Sequence, residues 1–172
     1  MTEKSVKPSI LVVCTGNICR SAMADVIVTQ RAAERGIPVE VDSAGISNEE
    51  AGNPIDDRAQ RVLRDAGYEI PRHAARQVRP GELAGYDLVL AMTDRHLSAL
   101  KRIAERDGVS ADNVRMWREF DPELPSGTPV GTELDVPDPW YGGHQDFLDT
   151  LAVVEGSADA VLDAAIAAAK AN

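Results

Sequence analysis

Cysteine and histidine are scarce in this chain, with two and three copies among 172 residues. Two cysteines cannot build the disulfide framework of a small secreted scaffold. Without a second cysteine pair, and with the histidines scattered, there is no ligand set for zinc, and no metal or other cofactor is expected. Long apolar runs are missing as well. The opening residues MTEKSVKPS are polar, and the run behind them, Ile10 to Cys14, is too short for a signal-peptide core or a membrane span. The expected location is a reducing cytoplasm. Positive charge is in deficit: 18 Lys and Arg face 28 Asp and Glu, a net charge of −10. That excludes a general affinity for nucleic acid or acidic membranes, which need a basic footprint. It does not exclude an anionic small group as substrate. A few backbone N–H groups and one arginine can bind phosphate on an acidic protein.

What is present reads as one domain over residues 1–172, long enough to bury a real core. ILVVC (10–14) is β-branched and apolar throughout, the mark of a strand buried on both faces. Residues 21–34 read as a helix with Met23, Val26, Ile27 and Ala33 near one stripe and Gly36 as its stop. A strand over 39–43, a helix over 56–66 closed by Gly67, and a strand over 87–91 follow. Then come a helix over 94–106 capped by Thr93 or Asp94, and a weaker strand over 114–117. Residues 118–143 have little periodicity and hold Pro122, Pro125, Pro129, Pro137 and Pro139. A loop that long inside a compact domain calls for a function. A final helix covers 146–169. The alternation predicts an α/β fold: a four-stranded parallel sheet, Rossmann-like, with helices on both faces. Ligands of such sheets sit beyond the carboxyl ends of the strands.

The segment CTGNICRS (14–21) occupies that position on the first strand. It is not a dinucleotide fingerprint, since only Gly16 is present, nor a nucleotide P-loop, since it has no lysine. Cys14 and Cys19 are separated by four residues, where thioredoxin-type chemistry uses two. The pattern Cys-x5-Arg-Ser on a strand–loop–helix suits a covalent phosphate site. Gly16 permits the tight loop, and the N–H groups of Thr15, Gly16, Asn17, Ile18, Cys19 and Arg20 can converge on a tetrahedral anion at the helix start. Arg20 can hold two of its oxygens as a planar fork. The same surroundings favour a thiolate at Cys14, placed for in-line attack on phosphorus. Asn17 is a candidate for a left-handed conformation.

VCTGNICRSAMAD (13–25) resembles the active-site loop of the low-molecular-weight protein tyrosine phosphatases. The resemblance continues through VDSAG (41–45), DDRA (56–59), HAARQV (73–78), DLVLAMTD (87–94) and DPWYGG (138–143), in order along nearly the whole chain. It implies a phosphatase I-like fold and hydrolysis of phosphotyrosine and aryl phosphates through a cysteinyl-phosphate. In that scheme Cys14 is the nucleophile, Arg20 binds phosphate, and Asp138 is the general acid and base. Between Pro137 and Pro139, Asp138 is also a carboxylate on a stiffened backbone. The resemblance further implies that Asn17, Ser21, Ser43 and His73 brace the loop, with Ser21 donating to the Cys14 sulfur. Trp140 and Tyr141 would wall the pocket. Two departures stand out. The family's usual pair of tyrosines is here Trp140 and Tyr141. Glu49 stands where an aromatic is frequent, which disfavours acidic residues beside the phosphotyrosine and favours basic ones or a more open rim.

The implied partners are tyrosine-phosphorylated proteins, with inorganic phosphate as product or inhibitor. Two other readings are weaker. A thioredoxin-coupled arsenate reductase needs further cysteines downstream, and none follows Cys19. A phosphotyrosine-binding or redox-sensing module without turnover has no need of Cys14, Arg20 and Asp138 together. A redox layer is compatible with catalysis, because Cys19 can trap an oxidised Cys14 as a disulfide. His96 and His144 are expected at the surface.

Overall fold

The computed structural model describes residues 7–172, so the polar residues 1–6 lie outside it. Four strands, β1 (Ser9–Cys14), β2 (Glu40–Gly45), β3 (Leu88–Ala91) and β4 (Val114–Met116), form one parallel sheet in the order β2-β1-β3-β4. Four helices connect and cover them: α1 (Arg20–Glu34), α2 (Asp57–Asp65), α3 (Asp94–Asp107) and α4 (His144–Ala171). No helix among the described residues is long and apolar enough to cross a membrane.

The sheet explains the unbroken apolar run of β1. Ile10, Val12 and Cys14 face a core built with α1, α2 and α4, while Leu11 and Val13 face a second core built with α3. Strand β3 alternates the same way, Leu88 and Leu90 against Val89 and Ala91. A central parallel strand has no solvent side, so a polar residue on either parity would be buried without a partner.

After β1 the chain builds β2 on one side of it and then crosses to place β3 on the other. The end of β1 is therefore the point where the strand order reverses, and the loops beyond it are splayed apart to leave a crevice. Cys14 sits at that end.

Several sequence expectations are refined. Asp56 caps α2 from outside it, its carboxylate accepting from the N–H groups of Arg58 and Ala59. Thr93 caps α3. Helix α4 begins two residues earlier than the periodicity suggests, at His144. The stripe expected on α1 is wrong at Ala33, which is exposed, whereas Ala32 is buried. The reason is that the first turns of α1 are enclosed on all sides, with every residue from Arg20 to Ala24 buried, so no single stripe describes them. Residues 118–143 are irregular apart from two short 3-10 turns, Trp117–Phe120 and Thr132–Leu134.

Candidate active site

Residues 15–19 form the turn between β1 and α1. Among the described residues, the N–H groups from Thr15 to Arg20 donate to no backbone or side-chain acceptor of the protein. Helix α1 has no side-chain cap at Cys19. A helix start left open in this way can bind an anion, because its N–H groups and the helix dipole point the same way. Carbonyls of the loop are engaged instead. Ile46 donates to the Cys14 oxygen at 2.9 Å, Ser47 to that of Thr15 at 3.0 Å, and Asp56 to that of Ile18 at 3.0 Å. Gly45 makes the first two contacts possible, since a Cβ there would lie 2.5 Å from the Thr15 carbonyl oxygen.

Asn17 is the only non-glycine residue among those described with a positive φ, 62°. Its side chain holds the turn. Nδ2 donates to the Ser21 and Ser43 hydroxyls, each at 2.9 Å, and Oδ1 accepts the Arg76 N–H at 3.1 Å. The acceptor role of Oδ1 fixes the orientation of the amide. His73 Nε2 lies 2.6 Å from the Asn17 carbonyl oxygen, which can only accept, so Nε2 carries the proton. The Ser21 oxygen lies 3.0 Å from Cys14 Sγ. That oxygen accepts from Asn17, and the acceptors within reach of its own hydrogen are the sulfur and, farther off at 3.5 Å, the Ala44 carbonyl. Asn17, Ser21, Ser43 and His73 thus meet behind the loop.

Arg20, buried at 5% exposure, donates through one terminal nitrogen to the Val136 carbonyl at 3.1 Å. Its other terminal nitrogen pairs with Asp138 at 3.4 Å. The segment carrying Asp138 is strapped to the sheet. Val136 donates to the Met92 carbonyl at 2.8 Å, and the Asp135 carboxylate accepts the Asp94 N–H at 2.7 Å. Asp138 in turn accepts the Trp140 N–H at 3.1 Å. A cleft of about 350 Å³ gathers Cys14, Thr15, Gly16, Ile18, Cys19 and Arg20 at its floor, with Glu49, Asp138, Trp140 and Tyr141 around it. Glu50 and Arg95 line it too. Tyr141 is almost fully exposed, and Trp140 less so.

Two residues differ from expectation or went unnoticed. His96 is not at the surface: it is 3% exposed, with Nε2 2.8 Å from the Thr15 hydroxyl. Burial, and then the Arg20 charge, push its pKa down to about 4, so the ring is neutral. The helical period shows why: His96 shares a face of α3 with Ala99 and Leu100, both buried. His144 is exposed, as expected. Arg58 reaches the Trp140 carbonyl at 3.0 Å, and no local signal marks that contact. Cys19 is buried, and burial, followed by the charges of Asp56, Cys14 and Asp138, pushes its thiol pKa far up. It stays protonated beside Cys14, so the two cysteines are not equivalent nucleophiles.

Comparison with known proteins identifies the family and the fold. Residues 9–172 match the family described as low molecular weight phosphotyrosine protein phosphatase. The low molecular weight protein-tyrosine-phosphatase of Streptomyces coelicolor is 43% identical over 156 residues, covering 88% of this chain and 90% of that protein. Low molecular weight protein-tyrosine phosphatase A of Mycobacterium tuberculosis is 45% identical over 147 residues, covering 84% and 83%. Among solved structures, YfkJ from Bacillus subtilis superposes with a TM-score of 0.81 at 28% identity, covering 94% of this chain and 96% of that one. The phosphatase from T. tengcongensis superposes at 0.77 with 31% identity, covering 91% and 99%. With a family match over nearly its whole described length, the chain belongs to the low molecular weight protein-tyrosine phosphatases.

Proposed function

We propose that this phosphatase works on tyrosine-phosphorylated proteins through a cysteinyl-phosphate formed on Cys14, with residues 118–143 serving as its active-site loop. The observation that carries the reading is the convergence of three groups in one cleft. Cys14 Sγ lies 3.0 Å from the Ser21 hydroxyl, beneath a turn of uncommitted N–H groups, and Arg20 links that turn to Asp138 at 3.4 Å.

The phosphoryl group binds with its oxygens on the N–H groups of the turn and on Arg20. The Cys14 thiolate attacks phosphorus, so the S–P bond forms as the bond to the tyrosine oxygen breaks. Asp138 delivers a proton to that oxygen. In the second step the Asp138 carboxylate takes a proton from water, whose oxygen attacks phosphorus as the S–P bond breaks. Ser21 donates to the departing sulfur. The N–H groups stabilise the charge of both transition states because they are oriented before substrate arrives. Asn17, Ser43 and His73 keep them oriented, and Trp140, Tyr141 and Glu49 meet the aryl group and its flanks. Inorganic phosphate, the product, fits the same cradle and competes with substrate. Because the nucleophile is a thiol, a reducing compartment such as the cytoplasm suits the enzyme.

The test is hydrolysis of a phosphotyrosine peptide, with trapping of the intermediate. Wild-type protein quenched in acid during turnover should carry one phosphate that is absent from Cys14→Ser. Turnover that persists in Cys14→Ser overturns the reading.

A further inference from the structure

Arg58 belongs to neither the phosphate turn nor the segment of Asp138, yet it spans the gap between them. Its partner Asp56 is anchored on the cradle by donating its backbone N–H to the Ile18 carbonyl at 3.0 Å. The Asp56 carboxylate cannot swing away, because it also caps α2. Arg58 grips it twice, Nε to Oδ1 at 3.1 Å and one terminal nitrogen to Oδ2 at 3.1 Å. The remaining nitrogen donates to the Trp140 carbonyl at 3.0 Å. The guanidinium carbon also lies over two rings, 5.1 Å from the centre of Trp140 and 4.6 Å from that of Phe147. Trp140 then donates its N–H to Asp138. Ile18, Asp56, Arg58, Trp140 and Asp138 form an unbroken series of contacts from cradle to carboxylate.

A half-exposed ion pair in itself contributes little. This one is unusual in using the whole planar fork, which a lysine could not reproduce. A strut matters here because the Asp138 segment lacks regular structure of its own: its backbone tie to Met92 is made at Val136, before the acid, and after the acid the contact that reaches back toward the cradle is that of Arg58 with Trp140. We propose that Arg58 is a positioning residue for Asp138, a strut that holds the acid at a fixed distance from the phosphate turn. The proposal rests on Asp138 being the general acid.

Its signature follows from the chemistry. A displaced acid matters in proportion to how badly the leaving oxygen needs a proton. A residue that merely stabilises α2 would lower all rates together. The experiment compares kcat/KM on phenyl phosphate, a poor leaving group, and on 2,4-dinitrophenyl phosphate, a good one, for wild type and Arg58→Met. Inhibition by inorganic phosphate reports on the cradle. The expected loss is about tenfold on phenyl phosphate and under about twofold on the dinitrophenyl ester, with phosphate inhibition unchanged. Asp56→Asn, which keeps the helix cap and weakens the grip on Arg58, should shift the ratio the same way by less, and it carries the test if Arg58→Met does not fold. Equal losses on the two esters, no loss at all, or weakened phosphate inhibition that tracks the rate loss overturns the strut. Asp138→Ala run alongside separates the two levels. If it too loses both esters equally, the acid assignment has failed; if it alone discriminates between them, only the strut has.

Discussion

Replacing Asn17 tests whether the phosphate turn is held by the network behind it. Asn17→Ala removes three hydrogen bonds, to Ser21, to Ser43 and from the Arg76 N–H. At about 1 kcal/mol net each, their loss costs roughly 3 kcal/mol, more if the buried Ser43 and Ser21 hydroxyls find no new donor. Alanine must also hold φ at 62°, which adds about 1 kcal/mol. A total near 4 kcal/mol is a large part of the ~5–15 kcal/mol that stabilises a domain. For a domain of this size it corresponds to a fall in Tm of roughly 8–16 °C. Asn17→Gly loses the same bonds without the backbone strain. Glycine is ordinarily worse than alanine by ~0.5–1 kcal/mol. Here the order should reverse or vanish, because the strain on alanine opposes that term. Urea unfolding followed by tryptophan fluorescence gives both values, with equal m-values as the check on two-state behaviour. An Asn17→Ala protein as stable as wild type, or a glycine variant clearly less stable than the alanine one, refutes the reasoning.

Three further expectations concern chemistry and pH. Cys14→Ser should abolish turnover while keeping affinity for phosphate esters in equilibrium binding; loss of binding would mean that the sulfur, not the N–H cradle, holds the anion. Asp138→Ala should cost far more on phenyl phosphate than on 4-nitrophenyl phosphate, as expected of a proton donor. His96 is neutral in the fold with a pKa near 4, against 6.5 for the free side chain. The unfolded chain therefore takes up a proton there first. The stability that His96 contributes is complete above about pH 6.5 and falls as pH drops toward 4, by up to about 3 kcal/mol. Replacing it with glutamine should flatten that part of the stability–pH curve, and NMR of the wild-type ring should show no titration between pH 7 and 5.

The parts legible in the sequence are those whose cause is local. The β1 run is apolar on both parities because both faces are covered, and residues 14–21 carry the proposed nucleophile, the proposed cradle, an arginine and a serine in one short stretch of chain. The cap at Thr93 and the stop at Gly36 obey the same local chemistry. What escaped depends on strand order. Arg20 meets Val136 across 116 positions, Thr15 meets His96 across 81, and Arg58 meets Trp140 across 82. Each of these contacts exists because β3 lies beside β1 while β2 lies on its other side, which brings α3 and the Asp138 segment over one rim of the cradle and α2 over the rest. No window of sequence contains that arrangement. The burial of His96 was half legible through the period of α3, but its partner Thr15 was not.

Net charge shows the same division between local and global. A chain at −10 repels anions at long range, where salt screens the effect within about 10 Å. At the floor of the cleft, inside a rim that carries Glu49, Glu50 and Arg95, stand uncommitted N–H groups and one buried guanidinium whose charge is already shared with Asp138. An incoming phosphoryl group therefore competes with that carboxylate for Arg20, and the Asp138 side chain, nearly half exposed, is the partner free to turn away. The Val136 carbonyl holds the other terminal nitrogen of Arg20 from a buried position. Raising ionic strength should for this reason speed the capture of small aryl phosphates, by screening the long-range repulsion, while leaving kcat nearly unchanged. A fall in kcat/KM with salt would mean instead that a local positive field dominates the approach, and that the acidic surface plays no part in it.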